Sequence, residues 1–383
     1  MSINCPVCHD KEYITIVTKE EQGFSTFGRI EDIAHIDFSI SRCQKCGFIF
    51  QDSALNSKEY EELGKTTYKN YTLMDNRIFP STEDYYKDAL DFLTEHLSFD
   101  NITNVLEIGS NRGDFLYLLK DANQNCNILG IDPLKREAQV PTINGLFTKE
   151  LFSNKFDLVI TRHVLEHIDK PQEFLQEIHA VLNEGAYIFV EVPNTKRDLE
   201  DVSEFFITEH IGYYFKETLR LVLQASGFTE ILISDDFSNG IYAIYQKNSN
   251  SNNTMIYEQN DHYQTLIESY LAGQAATLQS IQEFCDQGYK VAFYGFGNVF
   301  LSVYPIVKKV LAQRCDVTIF DDTPSKIGAR YDGITIQSTA GIDKESKYVF
   351  IICTMNRQHI ENIKTNIRNK NISEFSIIVP WRE

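Results

Sequence analysis

The feature that most constrains the fold is a regular alternation of apolar strands and amphipathic helices over residues 81–247. It begins with the helical run DYYKDALDFLTEHL, the strand NVLEIGS and the helix FLYLLKDA, and ends with the strands TEILIS and YAIYQK. Strands that alternate with helices imply a mainly parallel, doubly wound sheet, so the predicted fold class is α/β. The last two strands have no helix between them and are predicted to form a hairpin at the sheet's edge.

Differences in composition and in the pattern of strands and helices divide the chain into four predicted segments. Residues 1–80 hold two CxxC pairs and a Tyr-rich stretch, and residues 81–247 hold the alternation. Residues 248–262 begin with a polar low-complexity run and are predicted to be a linker. Residues 263–383 combine a helical lead with a second strand–helix alternation, which predicts a smaller Rossmann-like domain. A length of 383 residues suits two or three domains.

Charge and cysteine content exclude several classes of protein. The 36 basic and 54 acidic residues give a formal charge of −18, which repels nucleic acids and favours a small-molecule partner. No apolar run of about 18 residues predicts a membrane span, and the polar start MSINCPVCHD is unlike a signal peptide. A cytoplasmic monomer or homodimer is expected. Four cysteines are scattered singly, unlike a disulfide framework: Cys126, Cys285, Cys315 and Cys353.

The first strand of the alternation ends in the glycine turn EIGSNRGD, residues 107–114. Gly109 and Gly113 let the backbone turn tightly and approach a ligand. The second strand ends in GIDP, where Asp132 suits hydrogen bonds to ribose hydroxyls. Both features lie at the carboxyl ends of strands, where doubly wound sheets bind ligands. The turn is neither GxGxxG nor a phosphate loop, and a tight turn without a ligand is the alternative.

VLEIGSNRGDFL followed by GIDP resembles the first two motifs of class I S-adenosylmethionine (SAM)-dependent methyltransferases. The resemblance implies SAM as cofactor, with its methionine part on the glycine turn and its ribose on the acid. Arg162 and His163, just after the fourth strand, are expected to line the same site. Tyr68 and Tyr71 lie where relatives place tyrosines over the SAM cleft, with packing at a domain seam as the alternative. The implied cofactor residues in the turn and the second strand are Glu107, Gly109, Ser110, Asn111, Gly113, Asp132 and Pro133.

The two CxxC pairs predict a structural zinc site. Cys5 with Cys8, and Cys43 with Cys46, place two pairs of thiolates on turns, and each pair can clamp one side of a tetrahedral Zn²⁺. The alternatives are two coincidental CxxC turns or a redox motif, although a redox motif needs one CxxC at a helix start. Four cysteines close the shell and leave no open position for catalysis.

The order of CxxC…CxxCG, methyltransferase segment and small Rossmann-like domain resembles the sugar C-methyltransferases. The resemblance covers nearly the whole chain, and CQKCGFIFQ and IGSNRGDFL are its most specific pieces. It implies methylation at carbon 3 of a dTDP-linked 4-keto-6-deoxy sugar. A ketone acidifies the neighbouring carbon, a base removes its proton, and the resulting enolate attacks the methyl group of SAM.

The family's catalytic segment reads Tyr-x-Glu-His, and this chain has Ile207, Thr208, Glu209 and His210 in its place. The resemblance implies that His210 is the base and that Glu209 orients it, with a histidine that only borders the pocket as the alternative. His167, after the fourth strand, is the family's further histidine, and a packed histidine is its alternative reading. Ile207 departs from the family's tyrosine, and the candidates to replace that phenol are Tyr213 and Tyr214.

The C-terminal segment contains a second glycine turn in KVAFYGFGN. The resemblance implies that this domain holds the nucleotide of the sugar, through Gly295, Gly297 and Asn298. The turn continues with apolar residues instead of the family's lysine and glycine, so a purely structural or dimer-forming domain is the alternative. Two other functions stay open: O-methylation of a sugar or related metabolite, and a non-catalytic SAM-binding subunit.

Overall fold

The computed structural model describes residues 4–24, 30, 33–52, 82–133, 137–201, 206–237, 240–248, 261–311, 315–354 and 357–380. These residues form three β-sheets, of four, seven and six strands. In the described ranges, no helix combines the length and the apolar character needed to cross a membrane.

The first sheet is antiparallel and joins two distant parts of the chain. Its strands, in order, are β1 (Tyr13–Phe24), β2 (Ala34–Cys43), β3 (Ile49–Gln51) and β9 (Gly212–Tyr213). Ile49 pairs with Tyr213 and Phe50 with Gly212. The residues after the second CxxC pair therefore form a strand pair with the residues that follow His210.

The second sheet contains the predicted alternation. Its strands are β4 (Asn104–Ile108), β5 (Asn127–Asp132), β6 (Thr142–Asn144), β7 (Phe156–Arg162), β8 (Leu182–Val192), β10 (Phe228–Ser234) and β11 (Ile241–Lys247). The spatial order is β10-β11-β8-β7-β4-β5-β6, and β4 to β8 are parallel. The antiparallel β10–β11 pair forms the sheet's edge, which confirms the predicted hairpin.

The helices that accompany this sheet are α1 (Thr82–His96), α2 (Asp114–Ala122), α3 (Pro171–Val181), α4 (Thr195–Asp201) and α5 (Lys216–Ala225). Strands β4 and β7 are buried almost throughout, because helices cover both faces of the sheet. Val105 packs into one core with Phe115 of α2, whereas its neighbour Leu106 packs into the opposite core with Leu175 of α3. Burying each such side chain contributes about 1.5–3 kcal/mol.

The third sheet lies in the second predicted alternation of strands and helices. Its elements are α6 (Asp261–Asp286), β12 (Lys290–Tyr294), α7 (Asn298–Leu311), β13 (Val317–Phe320), β14 (Arg330–Tyr331), β15 (Ile334–Gln337), β16 (Lys347–Ile352), α8 (Arg357–Arg368) and β17 (Glu374–Ile378). The strand order is β14-β15-β13-β12-β16-β17, and the pairs are parallel except for β14 with β15.

Helix α7 packs against β1, which explains the apolar residues after the second glycine turn. Val299, Phe300 and Leu301 are buried in one core with Phe38 and Ile40 of β2. The residues after this turn are apolar because they begin helix α7, which packs against the antiparallel β1–β2 pair.

The structure corrects the view of Cys285 and Cys315 as single cysteines, because the two form a disulfide. Their Cα atoms are 5.8 Å apart, although they are 30 positions apart in sequence. Spacing alone did not indicate that the end of α6 lies beside the start of β13. Cys126 and Cys353 are free, buried thiols.

Candidate cofactor site and active site

The glycine turn between β4 and α2 needs both of its glycines. Gly109 and Gly113 have φ values of 76° and 78°, in the left-handed region that favours glycine. A Cβ at Gly109 would lie 2.4 Å from Val164 Cγ2, and one at Gly113 would lie 2.2 Å from Val140 Cγ2. The turn is therefore held tightly against the loops after β7 and β5.

The turn and the acid that ends β5 are in direct contact. Asn111 N–H donates to Asp132 Oδ2 over 2.8 Å, and Gly109 N–H donates to the carbonyl of Ile131, also over 2.8 Å. Strand β4 lies between β5 and β7, so the strand order reverses here, as it does at the ligand crevices of doubly wound sheets. Pro133 follows at the exposed rim. The two predicted halves of the nucleoside site thus converge.

Glu107 and Ser110 lie buried beneath the turn. Glu107 is 3% exposed, and among the described residues its Oε2 has no hydrogen-bond partner. Burial raises the pKa of Glu107 to about 8, against the opposing charge of Arg162. Burial makes this carboxyl group costly to ionise, and a nearby positive charge favours its ionised form. Glu107 is therefore well suited to receive a cationic ligand.

Glu191, which no sequence motif indicated, connects Arg162 with His163. Arg162 Nε lies 2.5 Å from Glu191 Oε2, and His163 Nε2 lies 2.9 Å from Glu191 Oε1. The guanidinium also lies over the rings of Tyr86 and Phe115. Despite burial, the charge of Glu191 raises the pKa of His163 well above its ordinary value. The signal in the sequence was an acid within the apolar strand FVEVP.

A second acid that no sequence motif indicated is Glu166. The loop after β7 places it beside His167 and His210. One carboxylate oxygen of Glu166 and one ring nitrogen each of His167 and His210 all lie within 4.8 Å of one another. Burial raises the pKa of Glu166, but the hydrogen bond with His163 and the charges of the histidines outweigh it and lower that pKa to about 2. Glu166 is therefore ionised at neutral pH although it is 1% exposed.

The ring of His167 is fixed by the backbone of Glu209. Its Nδ1 lies 2.7 Å from the Glu209 carbonyl oxygen, which can only accept, so Nδ1 carries a proton. Burial lowers the pKa of His167, which favours the neutral ring with an unprotonated Nε2. The rings of His167 and His210 meet edge to face, with centroids 5.0 Å apart.

The other predicted catalytic residues surround His210 in different ways. The Glu209 carboxylate accepts from the Thr208 hydroxyl over 2.7 Å, and the carboxylate grouped with the two histidines is that of Glu166. The Tyr213 ring lies 6.0 Å from His210, and its hydroxyl donates to the Ile207 carbonyl over 3.0 Å. Tyr214 is 1% exposed, and its ring lies 5.1 Å from Phe48.

The four CxxC cysteines form one cluster. Cys5 Sγ lies 3.5 Å from Cys46 Sγ, and Cys8 Sγ lies 3.4 Å from Cys43 Sγ. A tetrahedral zinc ion with Zn–S bonds of about 2.3 Å holds its sulfurs about 3.8 Å apart, so the donor set fits zinc. Contact with the Cys46 thiol lowers the pKa of Cys43, and the same contact raises the pKa of Cys46.

The second glycine turn repeats the geometry of the first. Phe296 N–H donates to Asp321 Oδ2 over 2.8 Å, and Lys326 Nζ lies 3.0 Å from the same oxygen. Gly295 has a φ of 101°, and a Cβ there would lie 3.0 Å from the Cys353 carbonyl oxygen. Gly297 precedes α7, which begins at Asn298. Tyr68 and Tyr71, the predicted tyrosines over the cleft, lie outside the described residues.

Comparison with known proteins agrees with this geometry. Residues 80–233 match the family model described as "Methyltransferase domain". This span contains the glycine turn, Asp132, His167 and His210. No curated protein matches the chain.

Solved methyltransferases resemble parts of the chain at low identity. The 1,6-didemethyltoxoflavin-N1-methyltransferase of Burkholderia thailandensis, with S-adenosylhomocysteine bound, is 16% identical; the match covers 55% of this chain and 95% of that one, with a TM-score of 0.40. The N-methyltransferase NodS of Bradyrhizobium japonicum WM9 is 17% identical, with coverages of 46% and 91% and a TM-score of 0.33. Human N-acetylserotonin methyltransferase is 13% identical, with coverages of 51% and 61% and a TM-score of 0.41.

The fold and the site define a methyltransferase domain in the middle of the chain. The chain is a SAM-dependent methyltransferase.

Proposed function

We propose that this enzyme methylates carbon 3 of a nucleotide-linked keto-sugar, with His210 as the base. The proposal is supported by the likeness of CQKCGFIFQ, IGSNRGDFL and the three-part order of the chain to the sugar C-methyltransferases. The nucleotide is expected to contact the second glycine turn, at Gly295, Gly297 and Asn298.

The observation that carries the proposal is the grouping of Glu166, His167 and His210 within 4.8 Å. The group follows β7, the strand next to β4, and Val164 in the same loop contacts Gly109 of the turn. A base in this group is therefore close to the expected methyl donor. Proton abstraction next to a ketone needs such a base within reach of the acceptor carbon.

The charges of the group suit a base that becomes cationic. When His210 takes a proton, the ionised and buried Glu166 carboxylate stabilises the half-buried imidazolium beside it. The neutral His167 ring presents an unprotonated Nε2, which can accept a hydrogen bond from the substrate. A positioned base of this kind contributes about 10²–10⁴-fold to the rate.

Exchange with deuterium oxide tests the enolate without methyl transfer. The enzyme is incubated with dTDP-4-keto-6-deoxyglucose and S-adenosylhomocysteine, and deuterium incorporation at carbon 3 is followed by NMR. We expect exchange with the native protein and its loss with His210→Ala. Absence of exchange with the native protein would contradict this substrate and mechanism.

The acceptor atom is tested with SAM carrying a ¹³C-labelled methyl group. A carbon acceptor gives a methyl group directly coupled to a ring carbon. An oxygen acceptor gives a methoxy signal, and no deuterium exchange is then needed. That second result would favour the alternative, in which His210 deprotonates a hydroxyl.

Structural zinc completes the proposal. Cys5, Cys8, Cys43 and Cys46 would hold it, and it would cross-link the two turns around the first sheet without taking part in the reaction. Such a link stabilises a small sheet that has little core of its own.

A further inference from the structure

The chain from Ile207 to Ile211, which carries His210, has backbone carbonyls that need donors from elsewhere. The first strand beyond it, β9, begins only at Gly212. Buried carbonyls in an irregular segment must find partners outside a regular ladder. The donors to these five carbonyls come from other segments: Tyr213 Oη and Gln51 Nε2 for Ile207, Gln51 Nε2 for Thr208, His167 Nδ1 for Glu209, Gln51 Nε2 for His210 and Gln51 N for Ile211.

Gln51 makes more of these contacts than any other described residue. Its Nε2 lies 2.8 Å from the His210 carbonyl oxygen and 3.0 Å from that of Thr208. The third contact, at 3.2 Å, is with Ile207. Because all three neighbours only accept, the nitrogen of the amide must face them, and its two hydrogens are shared among them. Gln51 itself is 5% exposed.

Gln51 belongs to the four-cysteine part of the chain. It ends β3, which follows Cys43 and Cys46 in the run CQKCGFIFQ. Cys43 N–H donates to the Phe48 carbonyl over 2.9 Å, and Gly47 N–H donates to the Cys43 carbonyl over 3.0 Å. The turn that bears two of the thiols is thus continuous with the strand that holds the 207–211 segment.

A second anchor acts on the other side of the segment. Ile211 N–H donates to the Glu166 carbonyl over 2.7 Å. The segment is therefore held between β3 and the loop after β7. Apart from Gln51, the loop that carries Glu166 and His167 holds the segment through two hydrogen bonds, and Tyr213 Oη donates to the Ile207 carbonyl.

We propose that Gln51 is a positioning residue for His210. Through Gln51, the N-terminal module that carries the four cysteines, residues 4–52, sets the geometry of the active site. The proposal rests on the proposed role of His210. It assigns the N-terminal module a task beyond stability, because the segment that bears the base is incomplete without β3. A misplacement of about 1 Å at a reacting group can cost about 10²-fold in rate.

The test compares Gln51→Leu with Gln44→Leu, in the full chain with its metal and with S-adenosylhomocysteine bound. Gln44 is an exposed glutamine in the same run, between Cys43 and Cys46, so it is a matched control. The readouts are the affinity for S-adenosylhomocysteine, the ¹⁵N resonances and titration of the His210 ring, and hydrogen exchange at the Ile211 amide. None of these needs a substrate.

We expect Gln51→Leu to bind S-adenosylhomocysteine within about twofold of the native affinity, because the glycine turn is separate from β3. The His210 resonances should move, and the Ile211 amide should exchange at least about tenfold faster. Turnover, if the keto-sugar is a substrate, should fall about 10²-fold with little change in KM. Gln44→Leu should match the native protein in every readout.

A folded Gln51→Leu protein with native His210 resonances and native Ile211 exchange would overturn the proposal. If Gln51→Leu does not fold, Gln51→Asn replaces it, since that variant keeps the amide but sets it back by one methylene. It is expected to show the same losses, and native behaviour would overturn the proposal. If the native protein lacks turnover on keto-sugars, the proposed function is contradicted. The His210 resonances and the Ile211 amide exchange still test the role of Gln51 in that case.

Discussion

His167 Nδ1 donates a hydrogen bond of 2.7 Å to the carbonyl oxygen of Glu209. The bond joins the loop after β7 to the segment that carries His210, although the two are far apart in sequence. It also fixes the tautomer of His167, so that Nε2 faces the Glu166 carboxylate at 3.7 Å. The two histidines and the carboxylate therefore behave as one electrostatic unit.

Glu166→Gln is expected to change the pH dependence of carbon 3 deuterium exchange. The carboxylate, whose pKa is about 2, stabilises positive charge on the neighbouring histidines. Without it, the protonated base loses that stabilisation, so the acid limb of the pH profile should move to lower pH. The rate on the plateau should fall about tenfold or more, because the base is weaker. An unchanged acid limb would contradict the role of Glu166.

SAM binding is expected to release a proton from Glu107. The pKa of this buried carboxyl is about 8 in the free protein, so below pH 8 it is mostly neutral. A cationic cofactor favours the ionised form, so SAM affinity should fall as pH falls below 8, by up to about tenfold per pH unit. Calorimetry in buffers of different ionisation enthalpy measures the released proton. Glu107→Gln should remove the pH dependence, and a native pH dependence in that variant would exclude Glu107 as its source.

The purified chain is expected to contain close to one zinc ion. Chelation should release it and lower the melting temperature, and Cys43→Ser should do the same because it removes one thiolate. Cys126→Ser, at a free cysteine outside the cluster, is the control and should keep the metal. Two ions per chain, with one lost in His210→Ala, would mean that the Glu166 group binds metal. That result would contradict the acid–base assignment.

The second sheet could be predicted from the sequence because its signals are local. Alternating strands and helices gave the α/β class, and the glycines at 109 and 113 gave the turn. The contact between Asn111 and Asp132 then followed from the parallel order of β4 and β5. The edge hairpin was predictable for the same reason, since β10 and β11 are adjacent in the chain.

The rest depended on contacts between distant segments. The pairing of β3 with β9 has no local signature, so the role of Gln51 was not predicted. The disulfide between Cys285 and Cys315 was missed because it forms between the end of a helix and the start of a strand. Glu166 and Glu191 were passed over because acids next to apolar strands reveal a role only when their partners are known.

The glycine turn and Asp132 are proposed to bind one adenosyl ligand. Titration calorimetry with S-adenosylhomocysteine tests it, with Asp132→Ala compared to Asp321→Ala, whose carboxylate accepts a turn N–H in the same way in the third sheet. One site per chain is predicted, weakened about 10- to 100-fold in Asp132→Ala, which loses hydrogen bonds to a charged group, and unchanged in Asp321→Ala. Absence of binding to the native protein, or equal binding by Asp132→Ala, would contradict the claim.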